Sequence, residues 1–78
     1  MKKAKIKELR KKLGITQAEL SEIIGCSLPS VEHWERGYRN PGDEYGERLE
    51  RLWRIANRLE KAGKYFDASM IPEIQKED

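Results

Sequence analysis

The sequence predicts an all-α domain of four to five helices. Short groups of aliphatic residues recur three or four positions apart, which places them on one face of a helix. Thr16 and Ser27 precede two of these groups and are favourable N-terminal caps. Gly14, Gly25 and Gly37 follow the groups and are typical C-terminal stops. Together these signals predict several short, closely spaced helices.

Length and composition exclude several classes of protein. The 78 residues suffice for one domain. No apolar run approaches the roughly 18 residues that span a membrane, and no apolar stretch follows the basic N-terminus as in a secretory signal. The single cysteine, Cys26, cannot form an intrachain disulfide, which fits a reducing cytoplasm. We therefore expect a cytoplasmic protein with no membrane partner.

The charge is distributed unevenly along the chain. Residues 1–13 contain seven Lys or Arg and one Glu, a net charge of +6, although the whole chain carries only +2. A basic end on a near-neutral chain suggests a polyanionic partner such as nucleic acid. An ordinary solvated helix face would have the same composition, so charge alone leaves both interpretations open.

Helix 1 is predicted from about Ala4 to Leu13, because Ile6, Leu9 and Leu13 form one stripe and the other faces are mostly cationic. Gly14 ends it.

Helix 2 is predicted to start at Thr16, which forms a capping box with Glu19. Gly25 ends it in a left-handed conformation. Its apolar positions are Ala18, Leu20, Ile23 and Ile24.

Helix 3 is predicted to begin at the Ser27 cap, with Pro29 tolerated in the first turn. Val31 and Trp34 form one stripe, suited to a core. A second stripe, suited to some other contact, contains Leu28, Pro29, Glu32, His33 and Arg36. The helix therefore has two faces.

Helix 4 is predicted to follow the loop from Tyr38 to Gly42, with Asp43 as its cap. No break occurs before Gly63, so we expect about 20 helical residues. Its apolar stripe comprises Tyr45, Leu49, Leu52, Ala56, Leu59, Gly63 and Phe66, flanked by Trp53 and Ile55.

The last residues are predicted to form a C-terminal tail, 67–78, that is partly disordered. Pro72 should end any helix there, and Glu73 to Asp78 is polar. A short apolar clasp is expected from Tyr65, Phe66, Met70 and Ile71.

Four segments of the chain resemble a known family. T-Q-A-E-L, I-G-C-S, V-x-x-W-E-R-G and R-N-P, at their spacing here, are similar to the phage-repressor and Cro-type (xenobiotic-response-element-type) helix-turn-helix family over about residues 4–60. The resemblance implies a lambda-repressor-like domain over residues 1–66, with a central helix-turn-helix and a long fourth helix. It also implies a double-stranded DNA ligand, with helix 3 in the major groove.

By this resemblance, the base-contacting residues are Ser27, Leu28, Pro29, Glu32 and His33. Leu28 and Pro29 suit thymine methyl groups, Glu32 can accept from cytosine N4, and His33 can donate to a purine or a phosphate. The alternative, which we favour less, is that Leu28 packs at the helix start. The family often has Gln, Arg, Asn or Thr at these positions, so we expect weak direct readout or partial recognition of DNA shape.

The expected phosphate contacts come from polar and basic residues around helix 3. They are Gln17, Ser30, Arg36, Arg39, Asn40 and Lys5, with Arg10 as a further candidate. Arg39 and Asn40 also suit an ordinary turn. The resemblance further implies a structural ion pair of Arg10 with Glu35, which we favour over DNA contact for both residues.

No enzyme, metal site or cofactor is expected. Cys26 and His33 are too few for a metal site, and no nucleophile has a positioned base. Two functions remain: a cytoplasmic, nucleoid-associated transcriptional regulator, such as a repressor or an antitoxin, or a protein-interaction module that keeps the fold with weak or no DNA readout. A homodimer is expected through Leu52 to Phe66 or the tail, although Trp53, Ala56 and Leu59 can instead complete the core.

Overall fold

The computed structural model describes residues 1–76 as an all-helical chain, which confirms the predicted fold class. The helices are α1 (Lys3–Leu13), α2 (Gln17–Ile24), α3 (Leu28–Arg36), α4 (Asp43–Ala62) and α5 (Ile71–Gln75). A single 3-10 turn, Ala68–Met70, precedes α5. α3 packs against α1 and α2, while α4 lies against α1 and supports the other side of the core.

Local capping chemistry starts α2 and α3 where the sequence indicates. Thr16 Oγ1 accepts from the Glu19 amide at 3.1 Å, and Glu19 Oε1 accepts from the Thr16 amide at 3.0 Å. Ser27 Oγ accepts from the Ser30 amide at 3.3 Å. The predicted cap of α4 was wrong: Gly42 is the N-cap and no side chain caps this helix, so Asp43 acts only as a negative charge in its first turn.

The core is formed by one apolar face of each helix. Its members are Ile6, Leu9, Leu20, Ile23, Ile24, Val31, Trp34, Leu49, Leu52, Ile55, Ala56, Leu59 and Ile74. Ala18 was predicted as an apolar position of α2 but is exposed, because the buried face of this short helix is completed by Ser21 instead. Ile55, predicted to flank the stripe of α4, belongs to the core.

The turn between α2 and α3 requires glycine for two reasons. Gly25 has φ +83°, a left-handed conformation that is strained for residues with a Cβ atom. In addition, Arg48 Nη1 would stand 3.0 Å from a Cβ at this position. That guanidinium donates to the Ile24 carbonyl at 2.8 Å and so satisfies the end of α2.

The C-terminal segment contains a helix, α5, that was not predicted. Pro72 does not end a helix; it lies in the first turn of α5, where its missing amide is not needed. Ile74 is fully buried, and Gln75 Nε2 donates to the carbonyls of Glu22 and Ile23 at 2.9 and 2.8 Å. The predicted frayed end at Glu77 and Asp78 lies outside the described residues.

The predicted apolar clasp forms in part. Phe66, Met70 and Ile71 pack against the core. Tyr65 was wrongly included, because its side chain is 93% exposed.

Replacing Ile74 with alanine should lower the free energy of unfolding by about 2–5 kcal/mol, because a fully buried aliphatic side chain would leave a cavity between α2 and α4. Urea denaturation followed by circular dichroism measures this loss. Glu73→Ala, an exposed neighbour in the same helix, is the control and should change stability by less than about 0.5 kcal/mol. Equal effects of the two substitutions would show that α5 does not contribute to the core.

Candidate nucleic-acid interface

α3 presents one face to the core and the opposite face to solvent. Val31, Trp34 and Glu35 are buried on the inner side. On the outer side Leu28 is 39% exposed and Pro29 is also exposed. Glu32 and His33 are half-buried, and Arg36 at the end of the helix is exposed. The structure therefore brings most of the predicted base-contacting residues together on one accessible helical face.

The inner side of α3 is anchored by a network around Glu35, which is only 3% exposed. Arg10 donates to both carboxylate oxygens, through Nε at 2.6 Å and Nη2 at 2.7 Å. Gln17 Nε2 donates to the same carboxylate at 3.3 Å. Arg10 Nη1 also reaches the Ile15 carbonyl at 3.3 Å. The network joins α1, the start of α2 and the C-terminal half of α3.

The environment of Glu35 favours its charged form. Burial by itself would raise the pKa of this carboxyl. The hydrogen bonds from Arg10 and Gln17, with the charges of Arg10 and Lys7, outweigh burial and leave the pKa below its usual value. The same bond to Glu35 raises the pKa of Arg10 further. Both partners are thus ionised at neutral pH.

Four of the lysines of α1 divide into two pairs. Lys5 Nζ lies 3.7 Å from Glu50 and 4.7 Å from the centre of the Trp53 ring. Lys12 contacts the same ring at 5.4 Å and Glu60 at 2.9 Å. The side chains of Lys5 and Lys12 therefore both contact residues of α4.

Lys3 and Lys7 lie on the side of α1 that faces the end of α3. Lys3 packs over Gly37, where its Cδ would stand 3.2 Å from an added Cβ. The charge of Lys7 acts on Glu35. Neither lysine forms an ion pair within residues 1–76. Sequence analysis did not single them out, although their i, i+4, i+7 spacing with Arg10 indicates a common face.

The loop after α3 adds a second exposed group. Tyr38, which sequence analysis did not select, is 69% exposed and lies 6.0 Å from the His33 ring. Arg39 and Asn40 beside it are exposed, and Arg39 has no ion-pair partner among residues 1–76. Position in a solvent-exposed loop directly after the predicted helix 3 is the signal that could have identified Tyr38.

Two polar groups expected on the outer face are partly engaged within the protein. The hydroxyl groups of Ser27 and Ser30 hydrogen-bond to each other at 2.8 Å. Gln17, expected at a phosphate, also contacts Glu35. A ligand would therefore have to share or replace these hydrogen bonds in order to bind the side chains of Gln17, Ser27 and Ser30.

The described residues offer little for other chemistry. Across residues 1–76 no three His, Cys, Asp or Glu side chains are grouped so that they could hold a metal ion. Cys26 is half-buried, and burial raises the pKa of its thiol. None of the helices within the same residues has both the length and the apolar character to cross a membrane.

The two capped helices joined at Gly25, with one anchored and one free face of α3, define a helix-turn-helix unit. Comparison with protein families agrees: the helix-turn-helix family matches residues 6–66, and the chain belongs to that family of DNA-binding regulators. Neither the curated proteins nor the solved structures gave a match.

The charged state of Glu35 should make stability depend on pH. The pKa of Glu35 is lower in the folded protein than in the unfolded chain. Its contribution to stability is therefore complete above the pKa of the unfolded chain, about 4.3, and is lost as the pH falls through the pKa of the folded protein. Glu35→Gln should cost roughly 3 kcal/mol at pH 7. The difference from the unchanged protein should shrink below about pH 4.3.

Chemical denaturation at a series of pH values between 7 and about 2.5 tests this dependence. Glu50→Gln is the control, because the Lys5–Glu50 pair is exposed and worth less than about 1 kcal/mol. A cost of Glu35→Gln that stayed constant over the whole series would contradict the assigned ion pair.

Proposed function

We propose that the protein binds double-stranded DNA sequence-specifically and regulates transcription, acting as a repressor, with α3 in the major groove. The two-faced construction of α3 carries the proposal: its inner face is fixed by Trp34 and the Arg10–Glu35 pair, while its outer face stays accessible. A B-DNA major groove about 12 Å wide admits one such helix.

Base recognition is assigned to the N-terminal two turns of α3. We propose contacts from Ser27, Leu28, Pro29, Glu32 and His33. Exposure of Leu28 supports a methyl contact over simple packing at the helix start. The N-terminal residues of a recognition helix are those that reach base edges.

Phosphate contacts are assigned to the residues that border this face. Arg36, Arg39, Asn40 and Tyr38 are exposed at the C-terminal end of α3 and in the next loop. Gln17 and Ser30 remain candidates through side chains already placed beside α3. Lys3 and Lys7 replace Lys5 as the α1 contribution, because Lys5 is held against Trp53 and Glu50. These contacts would position the protein without specifying sequence.

The proposed activity is binding without catalysis or a cofactor. The outer face of α3 and the residues that border it supply hydrogen-bond donors, acceptors and apolar contacts for DNA. The thiol of Cys26 is partly buried, and its raised pKa makes it unsuited to nucleophilic attack. Because the proposed ligand is DNA, the proposed site of action is the prokaryotic nucleoid, in the cytoplasm.

Replacing Arg36 or Arg39 with alanine should weaken binding to all duplexes alike and reduce the salt slope by about 0.9 for each lost phosphate contact. Fluorescence anisotropy on a mixed-sequence duplex at several salt concentrations measures that slope. Arg58→Ala is the control, because Arg58 is exposed on the distal half of α4 beside Arg54.

An unchanged slope in both variants, or an equal loss in Arg58→Ala, would contradict the assigned interface. Absence of any binding by the unchanged protein at low salt would overturn the proposed function itself. It would favour the protein-interaction alternative.

We further propose a homodimer, since one helix-turn-helix covers a half-site and symmetric dimers bind two half-sites about one helical turn apart. Leu52, Ala56 and Leu59 are buried in the core, which leaves Tyr65 as the main apolar side chain exposed at the end of α4. Concave surfaces lie on both sides of Tyr65, one of about 300 Å³ lined partly by Leu13, Ile15, Ile23, Phe66 and Ile71.

Tyr65→Ala should weaken self-association more than about tenfold, because exposed tyrosines often dominate interface energies. Sedimentation velocity over a range of protein concentrations measures the dimer fraction. Tyr38→Ala removes the other strongly exposed tyrosine, in the loop after α3, and should leave association unchanged. A strict monomer at high micromolar concentration, free and on DNA, would exclude the dimer.

A further inference from the structure

The outer face of α3 contains very few groups that can bind a base. The hydroxyl groups of Ser27 and Ser30 are hydrogen-bonded to each other, and the His33 ring lies toward Tyr38. The Glu32 carboxylate forms no hydrogen bond or ion pair within residues 1–76. The polar contribution of the first two turns is therefore dominated by one unengaged carboxylate.

A carboxylate restricts which base it can face. When ionised it only accepts hydrogen bonds, so it needs a donor on the base edge. In the major groove the donors are the amino groups of cytosine N4 and adenine N6. Adenine also presents the acceptor N7 beside its amino group, which repels a carboxylate. Guanine N7 and O6 and thymine O4 are acceptors. Cytosine is therefore the base that Glu32 fits best.

The apolar part of the same face adds a second requirement. Leu28 precedes Glu32 by four residues, which places the two side chains about 5–6 Å apart on one face of the helix. Leu28 is 39% exposed at the start of α3, and Pro29 beside it is exposed as well. This apolar tip has no hydrogen-bonding group and suits a methyl group in the groove.

Each ordinary pyrimidine meets only one of these two requirements. Thymine carries a C5 methyl group, but its O4 acceptor would oppose the Glu32 carboxylate. Cytosine donates from N4 but has no methyl group at C5. In 5-methylcytosine the N4 amino group and the C5 methyl group occupy adjacent ring positions, so one base meets both requirements.

We propose that α3 recognises 5-methylcytosine in double-stranded DNA, with Glu32 accepting from N4 and Leu28 packing on the C5 methyl group. This inference rests on the proposed DNA binding and names the base chemistry that the outer face selects. At a base without a donor the Glu32 carboxylate would lose its hydration and gain no hydrogen bond, which lowers affinity for other sequences and adds to the discrimination.

The test begins with selection from two random duplex pools, one synthesised with cytosine and one with 5-methylcytosine throughout. Sites enriched from the methylated pool are then made with 5-methylcytosine, cytosine or thymine (paired with adenine) at each position in turn. Titration at fixed salt should show, at one position of each half-site, about fourfold tighter binding of 5-methylcytosine than cytosine, the value of one buried methyl group. Thymine there should bind about tenfold less tightly than 5-methylcytosine.

Two substitutions separate the two contacts. Leu28→Ala should abolish the difference between 5-methylcytosine and cytosine but keep the preference of both over thymine. Glu32→Gln should remove that preference and increase binding to adenine, which a glutamine amide can contact through N6 and N7. Thermal unfolding of both variants confirms that these exposed or half-exposed positions leave the fold intact.

Equal binding of cytosine and 5-methylcytosine at every position would overturn the inference. Thymine binding as tightly as 5-methylcytosine would overturn it too, because Leu28 and Glu32 would then contact different bases. In either case a measurable salt slope on mixed-sequence duplex would leave the proposed DNA binding standing. If neither pool binds at low salt, the proposed function and this inference fail together.

Discussion

The structure depends on one buried charge, the Glu35 carboxylate. A carboxylate in so small a core is destabilising unless charged partners and hydrogen bonds compensate for its lost hydration. Arg10 supplies two short hydrogen bonds and Gln17 a third, so α1 and the start of α2 must both meet α3 at this point. Because Trp34 is buried beside it, the rotation of this short helix about its own axis is set, and with it the residues that face outward.

This anchor also organises the cationic residues of α1. Lys5 and Lys12 lie on the side that meets α4, where the ring of Trp53 and nearby carboxylates hold them. Lys3 and Lys7 lie toward the end of α3, and the Lys7 charge contributes to keeping Glu35 ionised. The basic N-terminus is thus partly structural, and its total charge overstates the cations available to a polyanion. The first turns of α3 itself carry an apolar tip and a carboxylate.

The turn of the helix-turn-helix depends on side chains that donate hydrogen bonds to the carbonyl groups at the end of α2. The last carbonyls of α2 lack partners within their own helix. Arg48 from α4 and Gln75 from α5 donate to them, which brings both helices close to Gly25. Burial of Ile74 adds apolar contact to the same attachment. The C-terminal segment therefore supports the turn that leads into α3. A substitution in α5 would alter the position of the outward face of α3 although no residue of α5 belongs to that face.

Local chemistry in the sequence by itself determined the first four helices and the two faces of α3. Capping by Thr16 and Ser27, the stops at glycine and the spacing of Val31 and Trp34 act within one or two turns of chain, so they can be identified without knowing the fold. The tertiary structure alone decided which lysines pair with α4, that Gln17 reaches Glu35, and that Ile74 is buried after a proline expected to end the helix. Those outcomes depend on contacts between helices that are far apart in the sequence. There the free energy of burying an apolar side chain or pairing a charge outweighs the helix propensity of single residues.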